Sequence, residues 1–327
     1  MTQKPLDRVR FDAANLVLDY PPQWLHANKQ AVFDLVSASS YPFDGQIIYA
    51  RWPKLQLPEA ATRRLQFQVF PGVFTYVPSG TTAVVEWHMN FADQHLFVAY
   101  GSSLLAQDEL QVAEHPCLGS LREALESMGS SPETMDSQGS PTPITISGAQ
   151  RRCAIDTAPN LKAGRPRGLY GNAFARATVK QVIDATKILA PPTISNILAM
   201  AAPACGFGPY SKDEILLVLG TAYSGFLGAR LESAGLASTP SRTVIHTGFW
   251  GCGAFGGNRV LMTILQVLAG ELADVDIVFH AFDAAGVAIV EEARDFHARM
   301  GDSTSTVPQI VDALLQEGFS WGESDGN

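Results

Sequence analysis

Two short stretches of this chain combine residue types and spacing that could do chemistry. Gln107-Asp108-Glu109 sets two carboxylates side by side at the start of a helical pattern, and Thr247-Gly-Phe-Trp-Gly-Cys-Gly-Ala-Phe-Gly-Gly257 holds five glycines. Adjacent carboxylates repel each other, and an anionic ligand would repel both, so one of the pair is expected to keep its proton near neutral pH and serve as a general acid. The same two acids would also suit an ordinary first helical turn, where they complement the positive end of the macrodipole. The glycines allow positive φ and bring backbone N–H groups to a bound anion beside a helix N-terminus. The anion expected there is a diphosphate.

Gly251-Cys252-Gly253-Ala254-Phe255-Gly256 also fits GxGxxG, the dinucleotide-binding pattern. Only one helix, one strand, another helix and a tail follow it, too little chain to finish a dinucleotide-binding sheet. A purely structural glycine turn is the other alternative. Cys252 lies near a helix start, which lowers a thiol pKa, although a small residue fitting a tight loop explains it as well. Phe255 in the turn and Phe282 after the strand that begins at Asp276 could stack on ribose or adenine, or pack into the core. His88, His95, His246 and His280 share no metal spacing and read as packed or hydrogen-bonded, with His280 alone placed to face a ligand. No metal and no cofactor is expected.

The elements needed to position these residues are legible in part. Thr243 to His246 reads as the end of a buried strand, and Asn258 to Glu271 carries Val260, Leu261, Ile264, Leu265 and Leu268 at helical spacing. Residues 64–77 and 83–89 read as strands joined by a turn at Pro78-Ser-Gly80. Gln30 to Val36 is helical within a proline-broken first sixty residues. Ala173 to Leu189 reads as a helix, Ile197 to Ala201 as a buried strand, and Ser211-Lys-Asp-Glu214 as a capping box opening a helix that runs to Phe226. Residues 129–143, rich in Ser, Pro and Gly, and residues 157–171 read as surface loops, the second of them mobile. Strands alternating with helices predict an α/β/α sandwich with a mainly parallel or mixed sheet.

Bulk properties narrow the function classes. A chain of 327 residues with 46% hydrophobic content can bury a large core, and its net charge of −9 comes without a Lys/Arg run. Neither a broad nucleic-acid surface nor an anionic-membrane surface is expected, so a polyanionic ligand must be met locally by backbone groups. Cys117, Cys153, Cys205 and Cys252 are scattered without metal or disulfide spacing. The first residues lack an apolar signal region, and no apolar run of about 18 residues stands out, so a cytoplasmic protein with reduced thiols is expected.

Thr221-Ala-Tyr-Ser-Gly-Phe-Leu227, the glycine run and the helix after it resemble the C-terminal half of the poly(ADP-ribose) glycohydrolase catalytic domain. That family reads AYCGFL, then TGNWGCGAFGGD, then an apolar helix and a strand ending in FTFGD. Upstream, the family's DFAN, GGG loop and QEE are similar to Asn90-Phe-Ala-Asp93 and Gln107-Asp108-Glu109, with 18 positions from Asn90 to Asp108 as in the family pattern. Gln150-Arg-Arg-Cys153 resembles a family QRRC. The resemblance implies a three-layer α/β/α macrodomain-like fold with a mixed sheet. It implies a helical N-terminal cap over 1–60 and a catalytic domain over 61–327.

The resemblance further implies hydrolysis of an O-glycosidic ribose bond in poly(ADP-ribose) or an ADP-ribosyl conjugate. Glu109 would be the acid that protonates the leaving oxygen and then activates water, and Asp108 would hold the distal ribose hydroxyl. Asn90, Asp93, Gln107, Gly251, Cys252, Gly253, Ala254, Phe255 and Phe282 would contact ligand, and the partner would be ADP-ribose or an ADP-ribosylated macromolecule. The sequence departs from the family in several places. The triple glycine falls on Phe97-Val98-Ala99, whose bulk is expected to keep backbone away from ligand. The acid and amide of DFAN are exchanged, QEE has become Gln-Asp-Glu, and the family's acidic adenine contact has no counterpart in residues 78–82. Two further readings therefore stay open, a binding module that has lost catalysis and a hydrolase for another ribosyl or nucleotide-sugar substrate.

Overall fold

The computed structural model describes residues 3–61, 63–78, 80–81, 83–130, 132–237, 241–300 and 305–326. Its strands are, in chain order, β1 (Asp7–Asp12), β2 (Gln46–Arg51), β3 (Phe67–Phe70), β4 (Val84–Ala92), β5 (Ile144–Ile155), β6 (Thr186–Ala201), β7 (Arg242–Thr247) and β8 (Asp276–His280). They form one mixed sheet in the order β1-β2-β5-β6-β4-β7-β8-β3. From β1 to β6 the neighbours are antiparallel, and from β6 to β3 they are parallel. β4 lies between β6 and β7, so the residues at its C-terminal end emerge in the middle of the sheet. Crevices at such strand ends are where α/β sheets hold ligands.

The helices are α1 (Ala13–Asp19), α2 (Ala27–Ser37), α3 (Gln107–Glu114), α4 (Cys117–Ser127), α5 (Val179–Asp184), α6 (Lys212–Leu236), α7 (Arg259–Ala273), α8 (Ala284–Met300) and α9 (Val307–Glu317). Side chains alternate across a strand, and in β6 they divide the core accordingly. Leu198 and Met200 pack with Phe226 of α6, Leu265 of α7 and Leu314 of α9. Ile197 and Ala199 pack on the other face with Leu16 of α1, Val112 of α3 and Leu121 of α4. The result is the three-layer α/β/α arrangement. A smaller cluster joins Val32 and Val36 of α2 to Cys153, Phe174 and Val182.

α6 forms where the capping box predicts it, with Ser211 Oγ accepting from Glu214 N and Glu214 Oε2 accepting from Ser211 N at 2.7 Å. It continues ten residues past Phe226 because packing on both sheet and helices buries most of its circumference. By length and composition it is apolar enough to cross a membrane, and 72% of its most apolar stretch is buried inside the fold. α7 starts at the expected Asn258, whose side chain accepts from Leu261 N at 3.1 Å.

Several expectations are corrected. The first sixty residues supply α1 and α2 but also β1 and β2, which extend the sheet past β5 and so are more than a helical cap. The strands in 64–77 and 83–89 are not hairpin partners: β3 pairs with β8 at the sheet edge while β4 is central. Ser79 and Thr82, within the expected turn and the missing adenine contact, lie outside the described residues. The helix expected over 173–189 is a 3₁₀ turn (Phe174–Arg176) and the short α5, because Thr186 onward pairs with β5 and tertiary pairing overrides helical propensity. β5 itself, buried along nearly its whole length, has no alternation for a period-two pattern to find. The loop over 157–171 is pinned rather than loose, Arg165 being buried and donating to Asp156 O at 2.6 Å.

Candidate active site

One wall of the site is built from β4 and α3. Asn90 is fully buried, and its Nδ2 donates to Asp108 Oδ1 at 3.0 Å and to Gln111 Oε1 at 2.9 Å. Gln107 clasps the strand backbone, accepting from Phe91 N at 2.8 Å and donating to Met89 O at 2.9 Å. These bonds seat the first turn of α3 on the strand end and hold Asp108 and Glu109 at the cavity wall. Glu109 Oε2 also accepts from Ala106 N at 3.0 Å, the return half of a capping box whose N-cap residue has no side-chain oxygen. Gln111 Nε2 donates onward to Tyr76 Oη at 2.8 Å.

The electrostatics follow from this burial. Desolvation, then the neighbouring Glu109 charge, push Asp108 up to about 7; the Asn90 hydrogen bond and the Lys29 charge hold it back, and Asp93 adds a smaller upward push. A proton is therefore retained at Asp108 near neutrality, as the adjacency of two acids predicts. Lys29, from α2, is buried and donates to Tyr100 O at 2.5 Å. Burial draws its pKa down to about 8 even though Glu109 and Asp108 favour its charged form. No sequence signal identifies this lysine, which is distant along the chain and belongs to an otherwise unremarkable helix.

The facing wall is the turn between β7 and α7. Within it Trp250 N, Cys252 N, Gly256 N and Gly257 N donate to Gly248 O, Phe249 O, Gly253 O and Gly251 O. Gly251, Gly253, Ala254 and Phe255, whose amides are not among these donors, line the smaller of the two cavities between the walls. Gly251 has φ +72°, and a Cβ there would sit 2.5 Å from Ala202 Cβ, so only glycine fits. The Cys252 thiol is buried, its pKa pushed up to about 12, and lies 3.4 Å from Trp250 O. The tight-loop reading of this cysteine holds, and the lowered-pKa one is overturned by desolvation.

Between the walls lie two adjoining cavities. The first, about 250 Å³, is lined by Asp93, Gln107, Asp108, Glu109, Gly251, Gly253, Ala254 and Phe255. The second, about 570 Å³, is lined by Gln107, Cys252, Gly253, His280 and Phe282. Phe91, Tyr170, Phe249 and Asp325 border both, so the two are compartments of one cleft. Asn90 lines neither: its side chain is covered by α3, and it positions Asp108 instead of touching ligand.

The loop that replaces the triple glycine also differs from expectation. Phe97 has φ +55°, a left-handed conformation suited to glycine, yet its ring is fully buried among Leu96, Tyr100, Leu118 and Leu121. Burying the ring offsets a backbone cost of roughly 1 kcal/mol. The expected obstruction by Phe97 is thus absent because the side chain leaves on the core side. Val98, about half exposed, and Ala99 do line the first cavity.

The second compartment contains residues the sequence did not single out. Tyr76, held at φ +53°, stacks on His88 at 4.3 Å and lies under the Arg151 guanidinium at 4.5 Å. Arg151 Nε donates to Glu114 Oε2 at 2.7 Å, and both side chains are buried. Arg151 belongs to the QRRC-like segment, a signal too short to specify a cavity. His280 meets His246 at 3.1 Å, and His246 reaches Glu86 at 3.3 Å. Burial lowers the pKa of His280 to about 4 and of His115 to about 3, and takes His88 well below its ordinary value. Among the described residues no group of three or more His, Cys, Asp or Glu side chains is arranged to hold a metal ion.

Comparison with known proteins adds two findings. Residues 170–288 match the family model described as poly(ADP-ribose) glycohydrolase, macro domain fold. Among solved structures, the chain is similar to the poly(ADP-ribose) glycohydrolase from Thermomonospora curvata, at 15% identity over 89% of this chain and 85% of that one, with a TM-score of 0.43. It is similar also to the poly(ADP-ribose) glycohydrolase from Deinococcus radiodurans in complex with ADP-ribose, at 13% identity over 90% and 95%, with a TM-score of 0.43.

Proposed function

We propose, for a chain whose residues 170–288 match the family model described as poly(ADP-ribose) glycohydrolase, macro domain fold, that the cleft hydrolyses an O-glycosidic ribose bond in poly(ADP-ribose) or an ADP-ribosyl conjugate. The observation that carries this reading is that residues 253–255 of the glycine turn and the Asp108–Glu109 pair line one small cavity. A diphosphate on the turn's amides would leave its distal ribose at the acids. The larger compartment, with Phe282, Tyr76 and Arg151, then accepts the nucleoside end.

Glu109 in its protonated form gives its proton to the glycosidic oxygen as the bond from that oxygen to the anomeric carbon breaks. Positive charge develops on the ribose ring, and water adds to the anomeric carbon while its proton returns to the Glu109 carboxylate. Asp108 holds a ribose hydroxyl, and its raised pKa spares a bound diphosphate a full neighbouring charge. Its side chain is one methylene shorter than the glutamate of the family motif. A misplacement of about 1 Å can cost on the order of a hundredfold, so slower turnover than with Glu is expected. A cytoplasmic setting is part of the proposal, supported by four cysteines that are all free.

The second reading, a binding module, is favoured by one observation: Val98 stands in the first cavity where the family pattern has glycine. Calorimetry with ADP-ribose, paired with release of ADP-ribose from a modified protein, separates the readings. Binding with release is the expected result. Binding without release would favour the module, and the absence of both would contradict the proposal.

A further inference from the structure

We propose that the segment from Trp321 to Gly326 is an internal strap whose Asp325 carboxylate occupies the anion cradle and competes with an incoming diphosphate. This rests on the reading of the glycine turn as a diphosphate site and concerns how that site is regulated. One end of the strap is firmly anchored. The Trp321 indole stacks on Tyr210 at 4.4 Å and 11°, its Nε1 donates to Glu214 Oε1 at 3.1 Å, and its backbone N donates to Gly208 O at 2.9 Å. Gly206 lies so near the indole that a Cβ there would come within 1.9 Å of the ring.

From that anchor the chain crosses the cradle. Gly322 N donates to Gly256 O at 2.8 Å and Asp325 N to Gly253 O at 3.4 Å, while Asn172 Nδ2 reaches Gly326 O at 3.3 Å from the opposite side of the cleft. The Asp325 carboxylate borders both compartments, and a Cβ on Gly253 would be 3.2 Å from its Oδ2. The Tyr170 phenol beside it has a raised pKa, first through burial and then through the Asp325 charge. A negative group thus stands beside Gly253 in the cavity that a diphosphate would enter.

The strap is asymmetric in strength. Trp321 is held by stacking and two hydrogen bonds and is half-buried, whereas Asp325 is exposed to solvent. Gly322, between the two, is exposed and adds no side chain to resist rotation. The exposed end can therefore swing out about Gly322 while the anchor stays, and a ligand with higher negative charge or more contacts displaces it. Inorganic phosphate alone makes few such contacts and is disfavoured.

The test compares wild type, Asp325→Asn and Glu323→Gln by calorimetry with inorganic pyrophosphate and, separately, with ADP-ribose. Glu323→Gln removes the same charge from the same segment at a residue that borders neither compartment. Asp325→Asn is expected to bind pyrophosphate about tenfold more tightly than wild type, with the gain shrinking as salt is raised, and Glu323→Gln to match wild type. Equal or weaker binding by Asp325→Asn, or an equal gain from Glu323→Gln, would overturn the strap. A pyrophosphate gain with no ADP-ribose binding by any of the three proteins would uphold the strap and remove the nucleotide reading. ADP-ribose binding that Asp325→Asn leaves unchanged would remove the strap and leave that reading standing.

Discussion

The two walls of the cleft are made in opposite ways. The turn at 248–257 presents backbone, and its residues are contiguous in the chain. The α3 wall presents side chains, and what holds them comes from Asn90, Gln111, Tyr76 and Lys29, scattered across the first third of the sequence. Where the turn is tightest, at Gly251 and Gly257, a Cβ would collide, so those positions of that wall tolerate little sequence change. A side-chain wall can exchange members as long as buried polar groups stay paired.

The largest effect is expected where the backbone wall is broken. Gly251→Val forces a branched side chain to φ +72° against Ala202, and ADP-ribose binding should fall by on the order of a hundredfold with a loss of roughly 3 kcal/mol in stability. Calorimetry and thermal melting check both. Retained binding would mean that the turn is not the cradle.

A smaller loss should follow from cutting the support of the other wall. Asn90→Leu strands the buried acceptors of Asp108 and Gln111, which should cost roughly 2 kcal/mol in urea unfolding. It should also slow turnover by about tenfold or more while ADP-ribose affinity changes little, since Asn90 does not border the cavity. A change in affinity equal to the change in rate would place Asn90 in direct contact with ligand.

The acid pair offers the smallest and most specific comparison. Asp108 titrates near 7 in the folded protein against about 3.8 for an ordinary aspartate. Between those values the native state holds the extra proton, so this group's ionisation erodes stability as pH rises, fully so above the folded pKa. Asp108→Asn should therefore gain roughly 2 kcal/mol over wild type at pH 8 and nothing near pH 4. The buried histidines act in the other direction: His115 and His280, at about 3 and 4, are neutral in the fold and draw protons on unfolding below about 6.5. Melting across this range would separate the two signs, and an Asp108→Asn gain that does not depend on pH would contradict the raised pKa.

The same contrast explains how much could be read from the chain. The glycine turn, the helix from Asn258, the Ser211 capping box and the α/β/α class were legible because each is a local pattern with one physical reason. The acid pair was legible as a pair, but not which carboxyl would be raised, since the burial that raises Asp108 is set by tertiary packing, and the Lys29 and Asn90 groups that hold it back arrive from α2 and β4. Phe97 looked obstructive because a residue type does not reveal which side its ring leaves by. Asn90 looked like a ligand contact for the same reason, since only the docking of α3 covers it. Asp325 gave no signal, being one acid in a short polar tail whose route is set by Trp321 and Tyr210. β5 and β2 were missed because they show no clean alternation, whereas β1 alternates only over Arg8 to Asp12, a run too short to stand out.

The account stands on Glu109 being the proton donor across from the amide turn. Its most direct measurement is the rate of ADP-ribose release from a modified protein by wild type and Glu109→Gln, with ADP-ribose affinity determined on the same samples. The account predicts turnover by wild type, a fall of about a thousandfold in Glu109→Gln, and affinities within a few-fold of each other. Release by Glu109→Gln at the wild-type rate would contradict it.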